Sequence, residues 1–145
     1  MKLTPTMVDD FLIDPVLGCY VLLGIKWDVF QAHAVRVTWW CPNVMDCSGF
    51  GTGKSLRIWA LAQLRAMLIP GQQIVVYYQD FQATKDIFFR NYQNFGSDRA
   101  PLFCAQKGRL DEEGMSDGKA DTRGSACYQQ HFKNGSCIYG PAPNW

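Results

Sequence analysis

The feature that most constrains this chain is a glycine-rich stretch, residues 48–55, with the sequence SGFGTGKS. It matches the phosphate-binding pattern G-x-x-x-x-G-K-[ST], except that Ser48 stands in the first glycine position. Glycines at 49, 51 and 53 let the backbone curl, so that successive N–H groups can point inward at a polyphosphate. The stretch therefore predicts a phosphate-binding loop, or P-loop. The alternative is an ordinary glycine-rich turn beside a lysine.

The flanks of this loop predict a strand before it and a helix after it. Asn43–Cys47 fits a short strand, and Leu56–Ile69 carries apolar residues at helical spacing. Unpaired N–H groups and the dipole at the start of such a helix favour phosphate binding. In this motif Lys54 reaches the β- and γ-phosphates of ATP as the catalytic lysine, and the Ser55 hydroxyl ligates Mg²⁺. The predicted cofactors are ATP and Mg²⁺.

Composition indicates one globular domain. The chain has 145 residues, of which 48% are hydrophobic and 19% charged, unlike a disordered protein. A net charge of +1 predicts no general attraction to nucleic acid. Met1–Pro5 does not predict a signal peptide, and no apolar run approaches the roughly 20 residues of a membrane span. We therefore expect the six cysteines to be reduced thiols, and their spacing does not predict a zinc site.

Residues 1–42 predict a helical lead-in to the loop. Short helices are expected over Met7–Ile13 and Pro15–Leu22, and Asp28 fits the N-cap of a helix over Val29–Trp40. Pro42 ends that helix.

Gln31 lies in the first turn of this third predicted helix, 17 residues before Ser48. Its amide offers a donor and an acceptor, the complement of an adenine edge, so one interpretation is that it contacts the base of ATP. The other is a solvent-facing glutamine on an amphipathic helix.

The rest of the chain predicts further sheet and helix. Gln73–Tyr78 fits a buried strand, 81–95 a helix, and Asn134–Gly135 a type I′ hairpin turn. The order strand, helix, strand, helix predicts an α/β fold of P-loop NTPase type. Its sheet would be mainly parallel, flanked by helices and incomplete. One partial domain over 1–145 then comprises the lead-in (1–42), a strand–loop–helix–strand–helix core (43–95), a surface loop (96–126) and a C-terminal β-hairpin (127–140).

Candidate acids for metal binding and hydrolysis are weak. Asp80 follows an apolar run but fits an N-cap of the 81–95 helix better than a Mg²⁺-binding acid. Asp111–Glu113 follows no buried strand and is interpreted as part of a solvated loop.

An ordered set of segments resembles the large terminase subunit of tailed bacteriophages. The resemblance covers about Asp14 to Pro143 and is carried by Asp28–Gln31, Ser48–Ser55, Leu68–Val76, Phe81–Phe88 and Phe132–Ile138. It implies an ATPase motor domain that drives DNA into a procapsid in the cytoplasm of the bacterial host. The implied partners are double-stranded DNA, the portal and the small terminase subunit, within a ring oligomer and without a membrane. The implied ATP-binding residues are Gln31, Ser48, Gly49, Phe50, Gly51, Thr52, Gly53, Lys54 and Ser55.

The chain departs from that family in two ways. Phe50 stands where the family often has an arginine, and Arg57 is not an obvious substitute. The family's Asp-Glu pair lies beyond the hairpin, so we expect a fragment that binds nucleotide but hydrolyses it poorly. Two alternatives remain: another P-loop enzyme, helicase-like or kinase-like, with Asp80 or Glu112 as its acid, or a non-catalytic nucleotide-binding remnant.

Overall fold

The computed structural model describes residues 3–77 and 127–141. Within these ranges the backbone forms helices, a π-helical turn and one small sheet. Across the same ranges, no helix combines the length and the apolar character needed to cross a bilayer. The elements are α1 (Pro5–Ile13), α2 (Pro15–Gly18), the π-helical turn (Cys19–Leu23), α3 (Val29–Trp40), α4 (Lys54–Leu68), β1 (Gln73–Val75), β2 (Cys127–His131) and β3 (Cys137–Pro141).

The lead-in helices begin at local capping signals. The Thr4 hydroxyl accepts a hydrogen bond from the Met7 N–H, and the Asp14 carboxylate accepts one from the Val16 N–H. A proline occupies the first position of both α1 and α2, where its missing N–H has no helical partner to lose. The predicted helix at Met7–Ile13 is confirmed. The one predicted over Pro15–Leu22 becomes α2 followed by the π-helical turn.

The third helix is confirmed at both ends. Asp28 caps α3 through a capping box, in which its carboxylate accepts from the Gln31 N–H at 2.8 Å and the Gln31 side chain accepts from the Asp28 N–H at 3.3 Å. The helix ends at Trp40, just before Pro42.

Helix α4 is the centre of the described core. Its side chains at Trp59, Ala60, Leu64 and Ala66 are buried, and it packs against both the lead-in helices and the sheet. Gly18 allows the close approach of α2, because a Cβ there would lie 3.0 Å from Leu64 Cδ1. This packing holds α4 against the lead-in helices.

The sheet has the order β1-β3-β2. Strand β1 pairs in parallel with β3, with Ile74 opposite Ile138, and β2 pairs antiparallel with β3. Ile138 is fully buried against the core. A parallel strand pair together with helices is compatible with the predicted α/β class.

The hairpin is confirmed, but its predicted turn type is wrong. A type I′ turn needs positive φ at both central residues, whereas Gly135 has φ of +83° and no described non-glycine residue has positive φ. The Gly135 N–H donates to the Phe132 carbonyl and the Phe132 N–H to the Ser136 carbonyl, which closes a three-residue loop. Asn134 is held elsewhere: its amide donates to the carbonyls of Ala66 and Met67, at 2.8 and 3.1 Å.

The strand predicted at Asn43–Cys47 is wrong. These residues are exposed and lie outside the sheet. Val44 and Met45 are 43% and 87% exposed, and Asp46 is engaged by polar groups near the loop, so the segment has no apolar face to bury. Strand β1 is also shorter than predicted, since it ends at Val75, and it is not the buried strand that was predicted, because Gln73 and Val75 are exposed.

Several predictions lie outside the described residues. They are the last residue of the predicted strand (Tyr78), the acid Asp80, the helix over 81–95, the loop over 96–126 and the acids Asp111–Glu113.

Candidate functional site

The glycine-rich loop runs from Ser48 to Gly53 and passes directly into α4, which begins at Lys54. Gly51 and Gly53 have φ of +80° and +81°, in the left-handed region that disfavours residues with a Cβ. Gly49 does not have positive φ. Two of the three glycines are therefore required by the backbone itself.

The Lys54 side chain folds back onto the start of the loop. Its ammonium donates to the carbonyl oxygens of Ser48 and Gly49, the latter at 2.7 Å. These contacts join residues five and six positions apart and place a positive charge beside the first residues of the loop.

Ser48, in the first glycine position of the motif, adds hydroxyl contacts that glycine could not make to a backbone contact that it could. Its N–H and its hydroxyl both donate to Asp46 Oδ1, at 3.0 and 2.5 Å. The hydroxyls of Ser48 and Thr52 lie 3.0 Å apart, and the Thr52 hydroxyl donates to the Gly49 carbonyl at 2.9 Å. The departure from the motif therefore braces the loop through side chains.

Asp46 and Arg57 were missed as members of this site by sequence reasoning. Arg57, in the first turn of α4, is 4% exposed, and its guanidinium donates to Asp46 Oδ2. The pair links the segment before the loop to the helix after it. The available signal was an acid and a base flanking the loop, but their pairing depends on the folded path of the chain.

Gln31 lies against the loop. Its Nε2 donates to the Thr52 carbonyl at 3.2 Å, across 21 residues of sequence, and a Cβ on Gly53 would lie 3.0 Å from that nitrogen. The structure thus brings together the glutamine and the loop that were selected separately from the sequence. A contact between Gln31 and adenine stays a prediction.

The amino end of α4 differs from those of the other helices. Side chains of Thr4, Asp14 and Asp28 cap α1, α2 and α3, whereas the N-cap of α4 is Gly53 and provides no side-chain hydrogen bond. The first N–H groups of an α-helix have no partner within the helix. They can therefore serve an anion that reaches this end.

Ser55 and Phe50 occupy exposed positions at the site, Ser55 in the first turn of α4 and Phe50 at the loop turn. Mg²⁺ commonly takes one or two protein ligands and fills its other positions with waters and phosphate oxygens, so a single serine hydroxyl fits such an ion. Among residues 3–77 and 127–141, no three His, Cys, Asp or Glu residues form a group that could hold a metal by themselves.

No family model, curated protein or solved structure matches the chain. The resemblance to terminases therefore rests on its residues and stays a prediction.

Proposed function

We propose that residues 48–55 bind the phosphates of ATP together with Mg²⁺, and that the chain is the ATP-binding motor domain of a phage DNA-packaging terminase. The observation that carries the nucleotide site is the position of the Lys54 ammonium on the first carbonyls of the loop. In this loop Gly51 and Gly53 have left-handed φ, and the helix that follows has no side-chain cap.

The charge of Lys54 is available to a ligand. Its described partners are neutral carbonyls, and within the described parts of the chain no carboxylate forms an ion pair with it. A phosphate adds a full negative charge as the acceptor, whereas a carbonyl offers the ammonium only a dipole. A triphosphate can therefore take over Lys54 from the loop carbonyls.

The local electrostatics tolerate an anion despite the nearby carboxylate. Asp46 would repel a phosphate, but its oxygens are engaged by Arg57 and by Ser48. Because the guanidinium neutralises the carboxylate, Lys54 and the first N–H groups of α4 leave the loop with an excess of positive charge.

The Mg²⁺ part of the proposal rests on Ser55. A serine directly after the loop lysine supplies one hydroxyl ligand, and phosphate oxygens and waters complete the coordination. The bound ion would neutralise charge between the β- and γ-phosphates.

The terminase part is supported by the ordered segments of the sequence and by the contact of Gln31 with the loop. On this proposal ATP hydrolysis is coupled to DNA translocation into a procapsid in the cytoplasm of the bacterial host. Double-stranded DNA, the portal and the small terminase subunit are the partners, in a ring oligomer. The acid that activates water is not assigned to a described residue.

Isothermal titration with ATP–Mg²⁺ tests the nucleotide site. Loss of a charged hydrogen-bonding group predicts that Lys54→Ala weakens binding by about 10- to 100-fold. Lys26→Ala is the matched control, because Lys26 is an exposed lysine outside the loop. Equal affinities of wild type and Lys54→Ala, with both proteins folded by circular dichroism, would rule out the P-loop.

DNA binding tests the motor assignment separately. A labelled DNA duplex should bind with an affinity that changes when ATP–Mg²⁺ is added to wild type, and no such change should occur in Lys54→Ala. DNA affinity that is independent of nucleotide would argue against a packaging motor while leaving the nucleotide site intact.

A further inference from the structure

We propose that Gln31 is a positioning residue that holds the loop for a triphosphate, and that it does not select the base. The inference rests on the nucleotide site proposed above and concerns what Gln31 contributes to it.

The Gln31 amide is engaged at both of its ends. Its Oε1 accepts from the Asp28 N–H as half of the capping box of α3, and its Nε2 donates to the Thr52 carbonyl. An adenine edge would have to use the second N–H and the second lone pair of an amide whose direction these two bonds already set. The side chain is fixed between the start of a helix and the backbone of the loop.

The contact is a close one that depends on a missing side chain. A Cβ on Gly53 would lie 3.0 Å from Gln31 Nε2, tighter than most real Cβ contacts, and Gly53 has the left-handed φ of +81°. Glycine at position 53 therefore allows both the left-handed φ of the backbone and the close contact with the Gln31 side chain.

The bond to Thr52 also orients the donor that follows it. A peptide unit is planar and trans, so its N–H points opposite to its C=O. Because the Thr52 carbonyl is directed at Gln31, the Gly53 N–H points away from Gln31. This N–H is one of the groups that donate to a phosphate oxygen, and Gln31 acts by setting its direction.

If Gln31 positions the loop, its loss should weaken the binding of every triphosphate ligand. Loss of the Gln31 donor should weaken ATP, GTP and inorganic triphosphate by the same factor, since the phosphates are common to all three. A residue that reads adenine would affect ATP only.

Three variants separate the loop contact from the helix cap. Gln31→Glu keeps an acceptor for the Asp28 N–H, as capping boxes accept either residue, but it has no donor for Thr52. Gln31→Met removes both contacts without adding charge. His33→Ala, an exposed change on the same helix, is the control.

Hydrogen–deuterium exchange of the nucleotide-free protein is the first measurement. In Gln31→Glu and Gln31→Met, the Arg57 amide, whose bond to the Gly53 carbonyl closes the first turn of α4 after the loop, should exchange about fivefold faster, the factor that corresponds to one neutral hydrogen bond. His33→Ala should exchange like wild type. If Gln31 served only as a helix cap, Gln31→Glu would also behave like wild type, and that result would overturn the proposal.

Titration with the Mg²⁺ complexes of ATP, GTP and inorganic triphosphate is the second measurement. Gln31→Met should lower all three affinities by about fivefold, with the ratios between them unchanged. A loss confined to ATP would assign Gln31 to adenine and overturn the proposal. If wild type binds none of the three ligands, the nucleotide site itself is wrong, and the exchange measurement alone decides whether Gln31 positions the loop.

Discussion

Arg57 and Asp46 form an ion pair that joins the two ends of the glycine loop. The Arg57 side chain is 5% exposed, whereas that of Asp46 is 31% exposed and also accepts the N–H and hydroxyl of Ser48. A buried guanidinium that loses its partner is left as an uncompensated charge in the protein interior. The pair therefore links the conformation of the loop to the stability of the fold.

Removing the acid should destabilise the protein more than replacing the base by an apolar side chain. We expect Asp46→Ala to lower the free energy of unfolding by about 2 kcal/mol or more, and Arg57→Met by less, because methionine needs no partner. Urea denaturation measures both values. The exposed pair Arg36–Asp14 is the control, and Arg36→Ala should cost about 1 kcal/mol or less. An Asp46→Ala effect no larger than that of Arg36→Ala would contradict the prediction.

Asn134 should contribute to stability although it lies in the hairpin loop between β2 and β3. Its amide donates to the carbonyls of Ala66 and Met67 in the last turn of α4, and its oxygen accepts from the Ser136 N–H at 3.1 Å. Asn134→Ala leaves helix-end carbonyls without this partner and should lower the free energy of unfolding by about 1–3 kcal/mol. Asn43→Ala, at an exposed position outside any helix or strand, should change it by less than about 0.5 kcal/mol. Equal urea midpoints for the two variants would show that Asn134 does not hold the hairpin to α4.

Cys19 should be the least reactive thiol of the lead-in and the loop segment. Burial raises the pKa of Cys19 to about 11, and the negative charge of Asp14 acts in the same direction. At pH 8 a thiol with that pKa is ionised in roughly one molecule in a thousand. We expect iodoacetamide to label the exposed Cys41 and Cys47 well before Cys19, as followed by peptide mass mapping. Labelling of Cys19 at the same rate as Cys41 in the folded protein would contradict this burial.

The same raised pKa predicts how stability changes at alkaline pH. The neutral thiol is favoured in the folded state, so its contribution to stability is fully present below about pH 9 and is lost as the pH rises towards 11. The free energy of unfolding of wild type should fall over this range more steeply than that of Cys19→Ala. Parallel pH profiles for the two proteins would exclude Cys19 as the cause.

Much of the helical structure could be predicted because its signals are local. Thr4, Asp14 and Asp28 each cap a helix that begins within one residue of them, and Pro42 directly follows the end of α3. The position of the hairpin was likewise contained in a short stretch around Gly135. The link between Gln31 and the loop could be predicted only from the position of the glutamine ahead of the phosphate-binding motif, since 21 residues separate Gln31 from Thr52.

The features that were missed depend on distant partners. A strand needs a neighbouring strand to pair with, so the apolar side chains of Val44 and Met45 could not by themselves predict a strand. The prediction of a type I′ turn was wrong because Asn134 takes its conformation while bound to the end of α4, which is remote in sequence. The pairing of Asp46 with Arg57 across 11 residues likewise follows from the path of the loop.

The loop glycines provide a final prediction, because they differ in what a Cβ would meet. Gly49 lacks positive φ and has open space around it, Gly51 has φ of +80° in open space, and Gly53 has φ of +81° beside Gln31 Nε2. An alanine in the left-handed region costs about 1–2 kcal/mol. We therefore expect the free energy of unfolding to fall least in Gly49→Ala, more in Gly51→Ala and most in Gly53→Ala, where the contact with Gln31 is also strained. When Gly53→Ala is made in a Gln31→Ala background and compared with Gln31→Ala alone, the additional loss at Gly53 should disappear, leaving the cost of φ. If Gly53→Ala is no more destabilising than Gly51→Ala, the close packing of Gln31 on the loop backbone is wrong.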